Sequence, residues 1–545
     1  MKLKQSIMTH GLLGGGADIN SSYQFDLRNF FLSANTEDIE VALDIIWEKI
    51  KPLNPELIFG AGIGGLPLLS LLKLHAYNKD KIDLKILFLR DQRKAYGTKK
   101  LIEGAYPDKV IGKRSVFVDD LINHSRTYKR TIQSLMEEDY ELNVVGAVSL
   151  VDFWKPDGSR SYNAQGVPML TAFRRHDFGL TRDERNLPKL LNIKPFWKTH
   201  MFHEGPNVMP YKGAPVIYKN YLLIGNDNGS HYCYDKNNGD LLWRYDPVKT
   251  IPKGNCSVSQ IDEDMVYWTT YDGTIRCCNV HTGKLQWISK LDNWIHASPH
   301  LDRINKRIFV ATESRITEGD IVCLDYQGHE LWRFPTNGLV PCTPTYSEKH
   351  NIVCCGSNDF HVYILNADNG ELIKSIPIMG ESKGKPALSE NQNIVVVASI
   401  QGWVYGLETI TGNVIWKSSV GSATTHCYPC VYENFVVVSN DNGLCFCFNI
   451  NNGNTEWIRQ FRSALGWGVI DVGSYLLAVT TKGYVNLLDK HTGEKLSHDI
   501  IYEPGVENCQ PPAFDGENLI IVTNNKGILT YKINIEETLN EKTRS

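Results

Sequence analysis

Beyond Trp197 the chain alternates short apolar strands with polar turns, and one unit recurs. It is a strand, an Asp or Asn, a turn ending near Gly, then a strand that often carries Trp. The copies are Tyr234-Asp235…Gly239…Trp243, Cys278-Asn279…Gly283…Trp287, Leu324-Asp325…Gly328…Trp332, Leu365-Asn366…Gly370, Leu407-Glu408…Gly412…Trp416, Phe448-Asn449…Gly453…Trp457 and Leu488-Asp489…Gly493. Successive glycines are 44, 45, 42, 42, 41 and 40 residues apart. That period is the length of a four-stranded β-propeller blade. Asp or Asn followed by Gly supplies the hairpin turn, because Gly adopts positive φ at little cost. The Trp brings a large apolar area to the gap between neighbouring blades. Upstream of each copy lies an apolar strand with its own turn, such as Tyr221–Gly225 before Asn226-Asp227-Asn228-Gly229, which supplies the inner strands.

An eighth set of inner strands follows, Leu519–Thr523 and Gly527–Lys532, without an outer strand. Pro195-Phe196-Trp197-Lys198 is an outer strand without inner ones. Joining the two fragments completes a blade and removes the exposed edges. The expectation is an eight-bladed ring over residues 195–534, closed by 195–200 against 515–533, with seven blades if the fragments stay apart.

Before residue 190 the pattern changes to strands alternating with helices, which predicts an α/β parallel sheet. The spacing predicts a helix over Thr36–Lys51, with Ile39, Ala42, Ile45, Ile46 and Ile50 inward. Strand Glu56–Gly60 runs into a glycine-rich turn, Ala61–Pro67, ahead of a helix. Such a turn lets backbone N–H groups approach an anion. Strand Lys85–Leu89 precedes a charged loop over Arg90–Gly104, and strand Ser115–Val118 runs into Asp119-Asp120. Paired acids at the carboxyl end of such a strand fall where open α/β sheets bind ligands, and can hold vicinal hydroxyls or Mg²⁺. A pair of loop or helix-cap acids is the plainer reading. The domain boundaries are 1–175 for this region, 176–194 for a linker, and 535–545 for a disordered tail.

Composition narrows the classes. The 545 residues carry a net charge of -4, with 42% hydrophobic and 22% charged residues, so nothing marks a nucleic-acid footprint. No apolar run reaches membrane-spanning length, and Met1–Gly16 makes a poor signal peptide, so the expected compartment is the cytoplasm. All 13 cysteines lie at or beyond Cys233. Cys427 and Cys430, preceded by His426, form a single C-x-x-C with no second pair to complete a zinc site. Cys256, Cys342, Cys427 and Cys509 take similar places before inner strands, where they either line a central channel or fill space as small apolar groups.

Two resemblances follow from these residues. Asn279-Val-His-Thr282-Gly283-Lys-Leu-Gln-Trp287 resembles the D-x-x-T-G-x-x-x-W signature of pyrroloquinoline-quinone-type propellers. That family's enzymes use calcium and a disulfide between adjacent cysteines. Cys277-Cys278 and Cys354-Cys355 are adjacent here, but both sit within blade strands, so packing is preferred and a quinone-dependent dehydrogenase ranks last.

The N-terminal region resembles orotate phosphoribosyltransferase, a type I phosphoribosyltransferase. The resemblance is carried by Ser22–Arg28, by Ile58–Pro67, by Arg90–Gly104 with K-x-Y-G-T-K-x-L-x-E-G intact, and by Val116–Thr127. It implies that Arg90, Lys94 and Tyr96 contact pyrophosphate, with Lys94 stabilising the departing charge. Gly62 and Gly64 would line the pyrophosphate loop. Asp119 and Asp120 would hold the ribose hydroxyls of Mg²⁺-bound phosphoribosyl pyrophosphate. Asn123, His124, Ser125, Arg126 and Thr127 would cradle the 5′-phosphate. A homodimer is also implied.

Departures from the family matter. The 123–127 turn lacks its Gly, Gly64 stands where the family has Lys, and Asp91 replaces a second loop cation. Asp152 is followed by Phe153 rather than Arg, and Gly14–Gly16 stand where the family has Lys. An orotate carboxylate would lose its donors. The expectation is a phosphoribosyltransferase for another base or acceptor, with the propeller as a platform for a partner or substrate. The alternative is a non-catalytic phosphoribosyl-ligand sensor.

Overall fold

The structure, a computed structural model, describes residues 34–90, 101–122, 126–152, 167–174, 194–199, 213–226, 229–247, 260–291, 293–314, 318–424, 428–465, 467–500, 511–523, 527–533 and 535, with short pieces before residue 34. The expected linker and tail lie almost wholly outside these residues. Contacts divide the chain into two compact units, Met1–Asp183 and Glu184–Ser545.

In the first unit, helix α1 (Thr36–Ile50) starts at Asn35, whose side chain accepts from the Asp38 amide. Glu37 and Asp38 add negative charge at the positive helix end. Its inner face is Ala42, Leu43, Ile46, Trp47 and Ile50. Ile39 and Ile45, expected inward, are only half-buried because Leu43 and Trp47 take the centre of the face. Then come β1 (Leu57–Ala61), α2 (Gly62–Asp80), β2 (Lys85–Leu89), β3 (Ile102–Gly104), β4 (Arg114–Ile122), α3 (Arg126–Glu137), β5 (Asn143–Asp152) and β6 (Met169–Arg174). The sheet order is β3-β2-β1-β4-β5-β6. All pairs are parallel except the β2–β3 edge. Phe117 joins the layers, its ring packing edge-on against Phe59 of β1 at 5.5 Å and Tyr128 of α3 at 5.2 Å.

Two expectations change here. The glycine-rich turn is shorter than the sequence suggests, because α2 begins at Gly62 and takes in Gly64 and Pro67. Gly62 makes the bend from strand to helix at φ +75°, a left-handed backbone that favours glycine. Strand β4 also runs further than Val118 and carries Asp119 and Asp120 within it, because β5 keeps pairing alongside, Asp119 opposite Ser149.

The second unit is eight four-stranded antiparallel sheets. Blade 1 is Val216–Tyr218, Tyr221–Gly225, His231–Asp235 and Leu241–Tyr245. Blade 8 is Ala513–Phe514, Asn518–Thr523 and Gly527–Lys532, completed by Lys194–Thr199 from the unit's start, with Trp197 opposite Thr530. The eight-bladed closure expected from the two fragments is therefore present.

The signature Trp and Gly meet across blade junctions. Trp197, Trp243, Trp287 and Trp332 donate to the carbonyls of Lys236, Val280, Tyr326 and Ala367 in the following blade at 2.7–2.9 Å. Trp416 and Trp457 do the same to Ile450 and Lys490 at 2.7 and 3.1 Å. Each indole also lies flush on the next blade's signature glycine: a Cβ at Gly283 would stand 2.7 Å from Trp243. Two junctions depart. Lys374 takes the Trp position of blade 4, where it faces Gly412. Ser497 takes it in blade 7, whose neighbour, blade 8, has no hairpin turn at that site because its outer strand comes from the other end of the unit.

Candidate functional site

The order of the first unit's sheet reverses between β1 and β4, because β2 and β3 lie to one side and β5 and β6 to the other. In open α/β sheets, ligands bind at the carboxyl ends of the two strands flanking such a reversal. The β1–β4 pairing ends at Phe59–Phe117. Beyond it, β1 leads to Gly62 and the start of α2, while β4 leads to Asp119 and Asp120. Gly60 permits this close approach, since a Cβ there would stand 2.6 Å from the Val118 carbonyl. No side chain caps the start of α2.

Asp119 and Asp120 are buried, 7% and 9% exposed. The Asp120 amide donates to the Asp119 carboxylate at 3.0 Å. Burial, and then the charge and hydrogen bond of Asp120, push Asp119 well above the usual carboxylate range. The site thus holds a buried pair of acids whose negative charge is costly until something meets it. Hydroxyl donors or a hard cation are suited to such oxygens. Among the described residues no three His, Cys, Asp or Glu side chains gather into a metal cluster.

The remaining expected residues fall out as follows. Gly62 and Gly64 lie in the first turn of α2, over the same end of the sheet. Arg126 opens α3, and the Thr127 carbonyl accepts from Thr131 Oγ1 at 2.7 Å. Asn123, His124 and Ser125 lie outside the described residues, as do Lys94 and Tyr96. Arg90 directly follows β2, and its guanidinium pairs with Glu103 of β3, Nε to Oε1 at 2.8 Å. Sequence reasoning missed this pair. The K-x-Y-G-T-K-x-L-x-E-G pattern gave Glu103 no role, but a β2–β3 hairpin with Phe88 opposite Glu103 puts the two side chains at one end.

In the second unit, the adjacent cysteines part to opposite sheet faces. Cys277 packs with Tyr267 and Ile308, and Cys278 with Cys233 and Trp268. Cys354 and Cys355 separate in the same way. None of the ten described cysteines is in a disulfide. Of the four cysteines placed before inner strands, Cys342 is described. Its thiol donates to the Gly384 carbonyl at 3.1 Å, joining blade 4 to blade 5. Cys256, Cys509, Cys427 and His426 lie outside the described residues. No helix among the described residues is long and apolar enough to cross a membrane.

The two units are similar to different proteins. The first is similar to the orotate phosphoribosyltransferase of Streptomyces coelicolor, 25% identical over 183 residues, which are 33% of this chain and 94% of that protein. The second is similar to the tetrathionate hydrolase of Acidithiobacillus ferrooxidans, 28% identical over 241 residues, and the chain spans only 44% of that protein's length. The fold of BamB from Moraxella catarrhalis covers 63% of this chain and all of that one, with a TM-score of 0.50 at 15% identity. A λ-carrageenase β-propeller domain profile matches residues 265–394. The profile described as outer membrane protein assembly factor BamB matches residues 194–303 and 358–544, more than half the chain, and the chain belongs to that family.

Proposed function

We propose that the first unit is a phosphoribosyltransferase, and that the propeller is a platform for a partner or substrate. The observation that carries the reading is the buried Asp119–Asp120 pair at the sheet's reversal point, beside the uncapped start of α2. Similarity to an orotate phosphoribosyltransferase over nearly that protein's whole length supports it.

In this reading Asp119 and Asp120 accept the vicinal hydroxyls of the ribose and fix its ring. Backbone amides at Gly62 meet the diphosphate at the positive end of α2. The bond from ribose C1 to the diphosphate breaks with its electron pair leaving on the diphosphate, and the acceptor's lone pair forms the new bond to C1. Positive charge gathers on the ring as the leaving group departs, and the nearby carboxylates stabilise it. The donor set suits Mg²⁺ carried in by the diphosphate, where it would neutralise departing charge. Lys94, with Arg90 and Tyr96, would stabilise the same charge from the loop. The lost donors beyond Asp152 argue for an acceptor other than orotate. Cysteines outside disulfides suit a reducing compartment such as the cytoplasm, and the family resemblance supports a homodimer.

A second reading is a sensor that binds a phosphoribosyl ligand without turnover. It is favoured by Arg90, whose guanidinium is held by Glu103. The test is pyrophosphate release with a panel of bases, comparing the natural protein with Lys94→Ala and Asp120→Asn. Release that falls in both variants supports the transferase. Equal release from all three sinks it. Calorimetric binding without release selects the sensor.

A further inference from the structure

The first strands of neighbouring blades touch, as Gln260–Asp262 touches His300–Asp302 and Thr345–Ser347 touches Ala387–Leu388, so they ring the propeller axis. The segments leading into these strands are tied side by side. The Ser298 amide donates to Thr343 Oγ1 at 3.1 Å, and Thr345 Oγ1 donates to the Pro386 carbonyl at 2.7 Å. The Cys342 thiol reaches the Gly384 carbonyl. Further round, the Tyr428 and Trp467 rings stack at 5.9 Å.

Polar groups at this axis are left unmatched. His300 opens the first strand of blade 3, and its Nδ1 is buried with no hydrogen-bond partner. Lys385 lies just before the first strand of blade 5, and among the described residues it has neither a hydrogen-bond nor an ion-pair partner. Burial, then repulsion from Arg303, lowers the Lys385 ammonium, and the one group acting the other way is the Cys342 thiol. Burial, followed by the positive charges of Lys385 and Arg303, pushes His300 down to about 3, so the ring is neutral. The Ser298–Thr343 and Thr345–Pro386 hydrogen bonds tie the segments that carry His300 and Lys385 to the same stretch of blade 4, so both residues lie on the inner side of the ring. A half-buried cation without a counter-charge and an orphaned, buried ring nitrogen both favour a partner that can meet them. An anion with two or more oxygens relieves both, one oxygen meeting the ammonium and another accepting from Nδ1–H.

We propose that the axial end of blades 3 to 5 binds a small oxyanion, the shared chemistry of a carboxylate or a phosphate group, between Lys385 and His300. This site does not depend on the phosphoribosyl reading.

The test uses the full chain, with calorimetric titration and thermal unfolding in inorganic phosphate and, separately, succinate, at matched ionic strength. The expected result is saturable binding of one or both, with affinity falling by roughly tenfold or more in Lys385→Met. A response to phosphate alone or to succinate alone assigns the source. Without anion, Lys385→Met should unfold at or above the temperature of the natural protein, because the unmatched charge is gone. This second readout separates a lost ligand from a damaged fold. His300→Phe should weaken binding as well. Phosphate binding in the first unit would survive Lys385→Met unchanged, so the two sites are told apart. The proposal is overturned if neither anion binds, if Lys385→Met binds as the natural protein does, or if that variant unfolds well below it.

Discussion

Trp197 lies so close on Gly239 that a Cβ on the glycine would stand 2.6 Å from the indole, and its Nε1 donates to the Lys236 carbonyl at 2.7 Å. The two residues belong to blades 8 and 1, so this contact is the seam of the ring. The Lys194–Thr199 strand must find Gly527–Lys532 at the far end of the unit, a closure with a large entropic cost. Trp197→Ala should cost about 3 kcal/mol in urea denaturation of the propeller. Gly239→Ala should also destabilise, because its φ is +80° and the added methyl meets the indole. The double variant should lose less than the sum, by roughly 1 kcal/mol or more, since both remove one contact. Strict additivity would mean that the seam does not rest on this pair.

A second tie crosses the same seam. Lys236 Nζ reaches Asp515 at 2.7 Å, with the two side chains 19% and 10% exposed. Burial alone would raise the Asp515 carboxyl, but the Lys236 hydrogen bond and donors from Asn518 and Glu517 outweigh it and bring it to about 2. Because the folded value lies below the unfolded one, the stabilisation is present above about pH 4 and is lost as pH falls toward 2. Asp515→Asn should therefore cost roughly 2 kcal/mol at neutral pH and almost nothing near pH 2. Denaturant midpoints measured across that window check it, and a difference independent of pH would contradict the assignment.

The repeat was legible because seven blades place a Gly in the turn and six carry a large ring at the edge. Those two features recur at a fixed period. Even the split blade could be read, since Trp197 stood as an outer strand without inner ones. Which Trp meets which Gly was not legible: the partners lie some forty residues apart, and nothing local shows that the contact crosses a junction rather than staying within a blade. In the first unit, Asp119-Asp120 stood out because acids rarely end an apolar strand. The order of strands that sets them at the reversal point is a long-range property. His300 and Lys385 gave no signal, because single polar residues at or before the start of an inner strand look like loop residues until neighbouring blades are tied together.

Glu103 holds Arg90 at the end of the β2–β3 hairpin. If Arg90 serves an incoming diphosphate, it must leave this half-exposed pair first. Such pairs are worth at most about 1 kcal/mol. Glu103→Gln should then bind pyrophosphate up to about fivefold more tightly, and Arg90→Ala more weakly, by direct titration. Unchanged affinity in both variants would remove Arg90 from the site.

The two junctions without Trp respond in opposite ways. At blade 4, Lys374 already lies against Gly412, with Lys374 Cγ 2.7 Å from where a Cβ would stand, and Gly412 has the φ of +69° found at the other signature turns. Lys374→Trp would lay an indole on a glycine already shaped to receive one, as Trp416 does on Gly453. The added apolar burial should stabilise the propeller by about 1–2 kcal/mol. At blade 7, Ser497 is fully buried, and blade 8 presents no turn glycine opposite it. Ser497→Trp would force a large ring into a filled junction and should cost about 3 kcal/mol or more. Chemical denaturation of the two variants measures the contrast. Equal losses at both positions would show that the signature glycine, not the absence of a ring, is irrelevant to how blades dock.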